Sequence, residues 1–260
     1  MTSALQAEFL KLRTTRLVAG MTGLAVALTA LIAVLEAVTA GTGKGMAIPS
    51  LAAAGGLRDN LASTGFALLI AALLGVSIAS GEFRLKTATD TYLDQPHRGR
   101  VLAAKAVVAA AAGAVLGIAA AAAATGIALG FAASRGYPVA LPTPVIARYT
   151  GGTVIGSALL AAAGVGVGSL IRYQVGAVIA VVAWGLVVEL VTGATVTTAG
   201  RILPYTTAAM MAGDTSGGGM PQIPRGVTAL PYPAAIAVLT AFAVAVAAVA
   251  ALTTARRDVT

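Results

Sequence analysis

Of 260 residues, 58% are hydrophobic and only 10% are charged, against about 25% charged in an ordinary soluble domain, which excludes a water-soluble globule. The formal charge of +8 would suit nucleic acid, but the basic residues are split among short segments between apolar runs and form no phosphate-binding face, so no nucleic-acid partner is expected. With no cysteine in the chain, disulfides, thiolate metal sites and cysteine nucleophiles are excluded.

The apolar residues come in runs near the ~20 residues that a helix needs to cross a hydrocarbon core. Helices rather than barrel strands are implied, because a stretch such as Ala106 to Ala133 is apolar on every face, whereas barrel strands alternate. The predicted fold is an all-α polytopic membrane domain covering 1–260, with spans near 17–38, 61–80, 101–133, 149–171, 174–191 and 233–253.

The first element, Met1 to Arg16, reads as an amphipathic helix with Leu5, Phe9 and Leu12 on one stripe and Gln6, Lys11 and Arg13 turned away. Two readings fit it: a helix lying on the membrane surface with its bases toward anionic head groups, or a basic anchor that only orients the first span. Lys11, Arg13 and Arg16 precede an apolar run ending at Val38-Thr39-Ala40, a triplet shaped like a signal cleavage site. The run exceeds the ~7–15 residues of a signal, so the first span is expected to remain.

Glu36 and Glu189 lie near the outer ends of the first and fifth spans. Ionisable residues inside a membrane are costly and usually functional. Either these two serve a transport path or pair with Arg148 or Arg58, or they sit at solvated span ends. Between the first two spans, Gly43-Lys44 is the nearest approach to a phosphate loop, but Val38 and Gly45 stand where glycine and Ser or Thr are required. ATP hydrolysis is therefore not expected of this chain, and no catalytic residue, bound cofactor or metal site is assigned. His97 is the only histidine, which leaves metal clusters and His-based triads no second imidazole.

The loop after the second span runs Gly81-Glu82-Phe83-Arg84-Leu85-Lys86-Thr87-Ala88-Thr89-Asp90-Thr91-Tyr92 and on to Pro96-His97. Glu82 with Lys86, and Lys86 with Asp90, pair at i,i+4, while Leu85, Ala88 and Tyr92 form an apolar face. Pro96 then marks a turn. A short helix of this kind either docks into a groove on a soluble partner or stays solvated.

The third stretch, 101–133, is too long for a perpendicular crossing; it tilts, breaks near Gly126 or extends beyond the membrane. Gly113 and Gly117, Gly126 and Gly130, Gly152 and Gly156, and Gly164 and Gly168 repeat at i,i+4, a spacing that lets helices approach closely. Trp184 and Tyr173 are candidate anchors of the fifth span, although Trp184 is deep for a simple interfacial belt, and lining a cavity is its alternative role. In the long segment Thr192 to Tyr232, Arg201 to Met211 is apolar but too short to span, so it is either a short helix dipping into the outer interface or a surface loop. Gly217-Gly218-Gly219 reads as a flexible turn.

Six crossings put both termini on one side. That side holds Lys11, Arg13, Arg16, Arg84, Lys86, Arg98, Arg100, Lys105, Arg172, Arg256 and Arg257, against Lys44, Arg58, Arg135, Arg148, Arg201 and Arg225 on the other. The excess predicts cytoplasmic termini in a multi-pass protein of the cell membrane.

At Ala7-Glu8-Phe9-Leu10-Lys11-Leu12-Arg13-Thr14-Thr15-Arg16, at Gly81-Glu82-Phe83-Arg84 through Thr87-Ala88-Thr89-Asp90-Thr91, and at Pro96-His97-Arg98-Gly99-Arg100-Val101-Leu102-Ala103-Ala104-Lys105, the chain resembles permease subunits of type-two ABC exporters of high-GC bacteria. The resemblance implies an interfacial amino-terminal helix, a coupling helix between spans two and three, and an outer re-entrant element before span six. It puts Glu82, Phe83, Arg84, Lys86, Thr87 and Asp90 at the surface that receives a separate ATPase subunit. ATP and Mg would be bound there, not here. Two permease chains, identical or related, would form the path for a hydrophobic small molecule such as a drug, antibiotic or lipid. An ion-coupled secondary transporter and a non-transporting membrane scaffold are the alternatives.

Overall fold

A computed structural model describes residues 2–42, 49–84, 98–171, 173–214 and 226–255, and no strand occurs among them. The chain is an all-α, multi-pass membrane protein. Its elements are α1 (Thr2–Thr14), α2 (Leu17–Thr39), α3 (Ala54–Leu61), a 3-10 turn (Ala62–Thr64) and α4 (Gly65–Arg84). They continue with α5 (Arg98–Ser134), α6 (Thr143–Leu170), α7 (Gln174–Thr195), α8 (Thr197–Gly200), α9 (Pro204–Met211) and α10 (Tyr232–Ala255). Six stretches are long and apolar enough to cross a bilayer: α2, the α3–α4 pair, α5, α6, α7 and α10. Helices satisfy every backbone group internally, which hydrocarbon demands. Prolines gather at helix starts, Pro144 in α6 and Pro204 in α9, where the missing N–H has no partner to lose.

The second span begins earlier than its apolar run suggested, at Ala54. Arg58, Asp59 and Asn60 thus belong to a helix and not to a connecting loop, and the 3-10 turn joins that polar start to the apolar α4. The third span is one continuous helix of 37 residues with no break at Gly126. At 1.5 Å per residue it is about 55 Å long and extends beyond any ~30 Å core.

α4 is the central post: 89% of its apolar window is buried, against 17% for α2, 17% for α7 and 22% for α10. It packs against α2, α5, α6 and α7. Small residues make the contact with α6 possible. A Cβ on Gly75 would overlap the carbonyl of Ala161, and one on Gly164 would overlap that of Ala72. Gly168 meets Val76, while Gly113 and Gly117 meet Ser157 and Val154 across the α5–α6 contact. Gly152 and Gly156 seat α9 at Met211 and Ala208. Three of the four predicted glycine pairs are therefore packing points. The fourth, Gly126 and Gly130, faces open space.

Candidate functional site

At the end of the bundle that carries α1, the residues that matter differ from those expected. Glu8, 5% exposed, accepts 2.9 Å hydrogen bonds from Lys105 Nζ on α5 and from Lys11 Nζ one turn along α1. Lys105 is itself buried. The inward stripe of α1 is thus Leu5, Glu8 and Leu12, spaced at i,i+3 and i,i+4, with Leu12 packed against the main apolar core. The expected stripe is corrected at Phe9, which is 61% exposed, as is its neighbour Leu10. A buried glutamate inside the apolar face displaced Phe9, because an ion pair with α5 fixes the helix's rotation. The side chains of Arg13, Glu82, Phe83 and Arg84 and the whole of Lys86, Thr87 and Asp90 lie outside the described residues.

At the opposite end, Glu189 is a helix cap. Its Oε1 accepts from the Tyr205 backbone N–H at 3.0 Å and from Trp184 Nε1 at 2.9 Å. Its Oε2 accepts from the Thr206 N–H at 2.7 Å and from Thr206 Oγ1 at 2.9 Å. Four donors and no acceptor fit a carboxylate, which only accepts. Tyr205 and Thr206 are the first free N–H groups of α9, since Pro204 has none and Thr207 N–H bonds to Leu203 O. A carboxylate at this point also meets the positive end of the helix dipole. The π turn at Trp184–Val188 brings the indole five residues back onto Glu189.

All eight residues of α9 are buried, so Arg201 to Met211 contains an inserted helix and not a surface loop. Ala208 lies by Gly156 and Met211 by Gly152, and α6 runs inward from Thr143, so the amino-terminal end of α9 is its deeper end. The Tyr205 ring points into the protein and its hydroxyl donates to Gly65 O at 2.9 Å. Below this end is a cavity of about 260 Å³, walled by α4, α6, α7 and α10 and roofed by Pro204 and Tyr205, with Trp184 at its rim.

Glu36 is 3% exposed, and neither carboxyl oxygen has a hydrogen-bond partner among the described residues. Asp59 and Asp214, also buried, are near enough for their charges to act on it. The same face of α2 carries Thr29 and Ala33; Asn60 Nδ2 donates to Ala33 O at 2.7 Å, while Thr29 Oγ1, Asn60 Oδ1 and Ser63 Oγ are buried with no hydrogen-bond partner among the described residues. Both Glu36 and Glu189 are buried and not at solvated span ends, while Arg58 lies 6.0 Å from the centre of the Tyr149 ring and Arg148 5.1 Å from that of Tyr232. Among the described residues no cluster of His, Asp and Glu could hold a metal ion.

Glu8 and Lys105 were the residues sequence reasoning missed. The available signal was a lysine at the start of a long apolar run and a lone acid in an otherwise basic helix. No family model, curated protein or solved structure matches the chain.

Proposed function

We propose that this chain is the membrane-spanning permease subunit of an ATP-driven exporter of the type-two ABC kind, working with a separate ATPase and a second permease chain. The observation that carries the reading is the Glu8–Lys105 ion pair at 2.9 Å. It joins in space the two stretches that carry the sequence resemblance, the amino-terminal helix and the segment leading into the third span. Force applied to the segment 85–97 would reach the end of α4 and the start of α5 directly, and α1 through the buried pair. A rigid-body shift of these elements would then alternate access to the path. Both termini are cytoplasmic on this reading, the membrane is the cell membrane, and the cargo is a hydrophobic small molecule.

The test is co-purification with an ABC ATPase encoded beside this chain, together with transport by a variant reversed in charge at Glu82 and Asp90. Recovery of the ATPase, and transport lost on reversal, is the expected result. No ATPase and undiminished transport would refute coupling. Ion-coupled transport has one observation in its favour, the unpartnered Glu36 carboxyl. It predicts uptake or export that follows an ion gradient in vesicles lacking any ATPase and that stops in Glu36→Gln.

A further inference from the structure

The cavity beneath α9 lies in a gap between two spans. α7 packs on α4 and α6, and α10 packs on α5, α6 and α9, but α7 and α10 make no comparable contact with each other. The inner wall is buried at Leu69, Leu160 and Ala163, whereas Ala180 and Trp184 at the rim are exposed. On either side of the gap Ile179, Val187 and Val244 point outward, each more than half exposed. In a multi-pass membrane protein these are surfaces that meet hydrocarbon.

The lining is almost wholly apolar, and its one carboxyl, Glu189, has both oxygens engaged by α9 and Trp184. Water needs two to four polar partners to stay in a cavity, and an apolar cavity of about 150 Å³ remains dry and takes up hydrocarbon instead. This one, at about 260 Å³, is larger and opens between lipid-facing helices. An empty slot here would forfeit dispersion contacts along its whole wall.

We propose that the slot binds one acyl chain of a bilayer lipid, which enters between α7 and α10, passes Trp184 and lies against Leu69, Ala163 and Phe242 below the tip of α9. The lipid then acts as a removable part of the packing that holds α7 and α9 in place. This inference does not rest on the exporter reading, and it stands or falls separately from it.

The full chain is reconstituted in phosphatidylcholine vesicles containing a small fraction of phosphatidylcholine with a diazirine in its acyl chain, irradiated, and mapped by peptide mass spectrometry. Adducts on Leu69 and Ala163 are expected, since both are buried and line the slot. Ala180→Phe, which adds a ring at the exposed rim, is expected to abolish those adducts while leaving those on Val244 unchanged. Adducts confined to outward residues such as Ile179 and Val244 would overturn the proposal. So would their absence from both faces, which would mean that protein, for instance a second copy, covers the opening. The unsubstituted chain's adduct pattern decides the matter even if the variant misfolds.

Discussion

Each oxygen of Glu189 accepts two hydrogen bonds, so removal of the side chain leaves the buried Tyr205 and Thr206 N–H groups without these acceptors and takes the partner of the Trp184 indole as well. An orphaned buried group costs roughly 1–3 kcal/mol, and Glu189→Ala is expected to destabilise the protein by about 3 kcal/mol. Thermal unfolding in detergent measures this, and an unchanged midpoint would contradict the capping role. Because Trp184 is the only tryptophan, its emission should change in the same variant. Glu36 presents the opposite case. Among the described residues its carboxyl makes no hydrogen bond, so Glu36→Gln replaces an ionisable group by a neutral one without removing a bond and is expected to leave stability equal or higher. A loss beyond about 1 kcal/mol would reveal a partner for the carboxylate. Two glutamates at corresponding span ends look alike in sequence, and only what surrounds each one separates a helix cap from a buried carboxyl that caps nothing.

Between elements, α1 is held to α5 through a charge pair whose members are 5% (Lys105) and 7% (Glu8) exposed at the side chain. Losing Lys105 takes from Glu8 its bond across to α5 and leaves it Lys11 on its own helix, so Lys105→Ala is expected to loosen α1, read as faster proteolysis near Thr14 and a lower unfolding midpoint. Replacing both, as Glu8→Leu with Lys105→Met, is expected to recover most of the loss, because two apolar side chains need no compensation. The glycines divide along the same line. Gly164→Ala would drive a methyl into the Ala72 carbonyl and separate α4 from α6, whereas Gly126 has nothing within 4 Å. Gly126→Ala is expected to be neutral, or stabilising by about 0.5–1 kcal/mol from helix propensity, and unfolding midpoints of the two variants compare them directly. All these glycines share one spacing in the sequence, and Gly75, whose contact with Ala161 is among the tightest, belongs to none of the flagged pairs.

Over the whole molecule, the proposed orientation predicts that Val139→Cys, 55% exposed between α5 and α6, is labelled by an impermeant maleimide in intact cells, and that Asp90→Cys is labelled only after permeabilisation. The reverse pattern would invert the topology. The cysteine-free chain makes each label unambiguous. The six spans were legible in the sequence because a helix must carry ~20 apolar residues to cross hydrocarbon, a requirement local to each segment. Even the length of α5 was visible, though whether it would break at Gly126 was not, since isolated glycine weakens a helix without ending it.

Composition and apolar run length by themselves determined an all-α, six-span membrane protein, and charge placement alone suggested its orientation. Only the tertiary structure decided that Phe9 turns outward, that Glu8 reaches Lys105 across 97 positions, that Glu189 caps a buried α9, and that a slot is left between α7 and α10. The difference is physical. Crossing a membrane is a property of one helix and its solvent, whereas a buried charge, a cap or a cavity exists only when particular side chains from distant segments arrive at the same place.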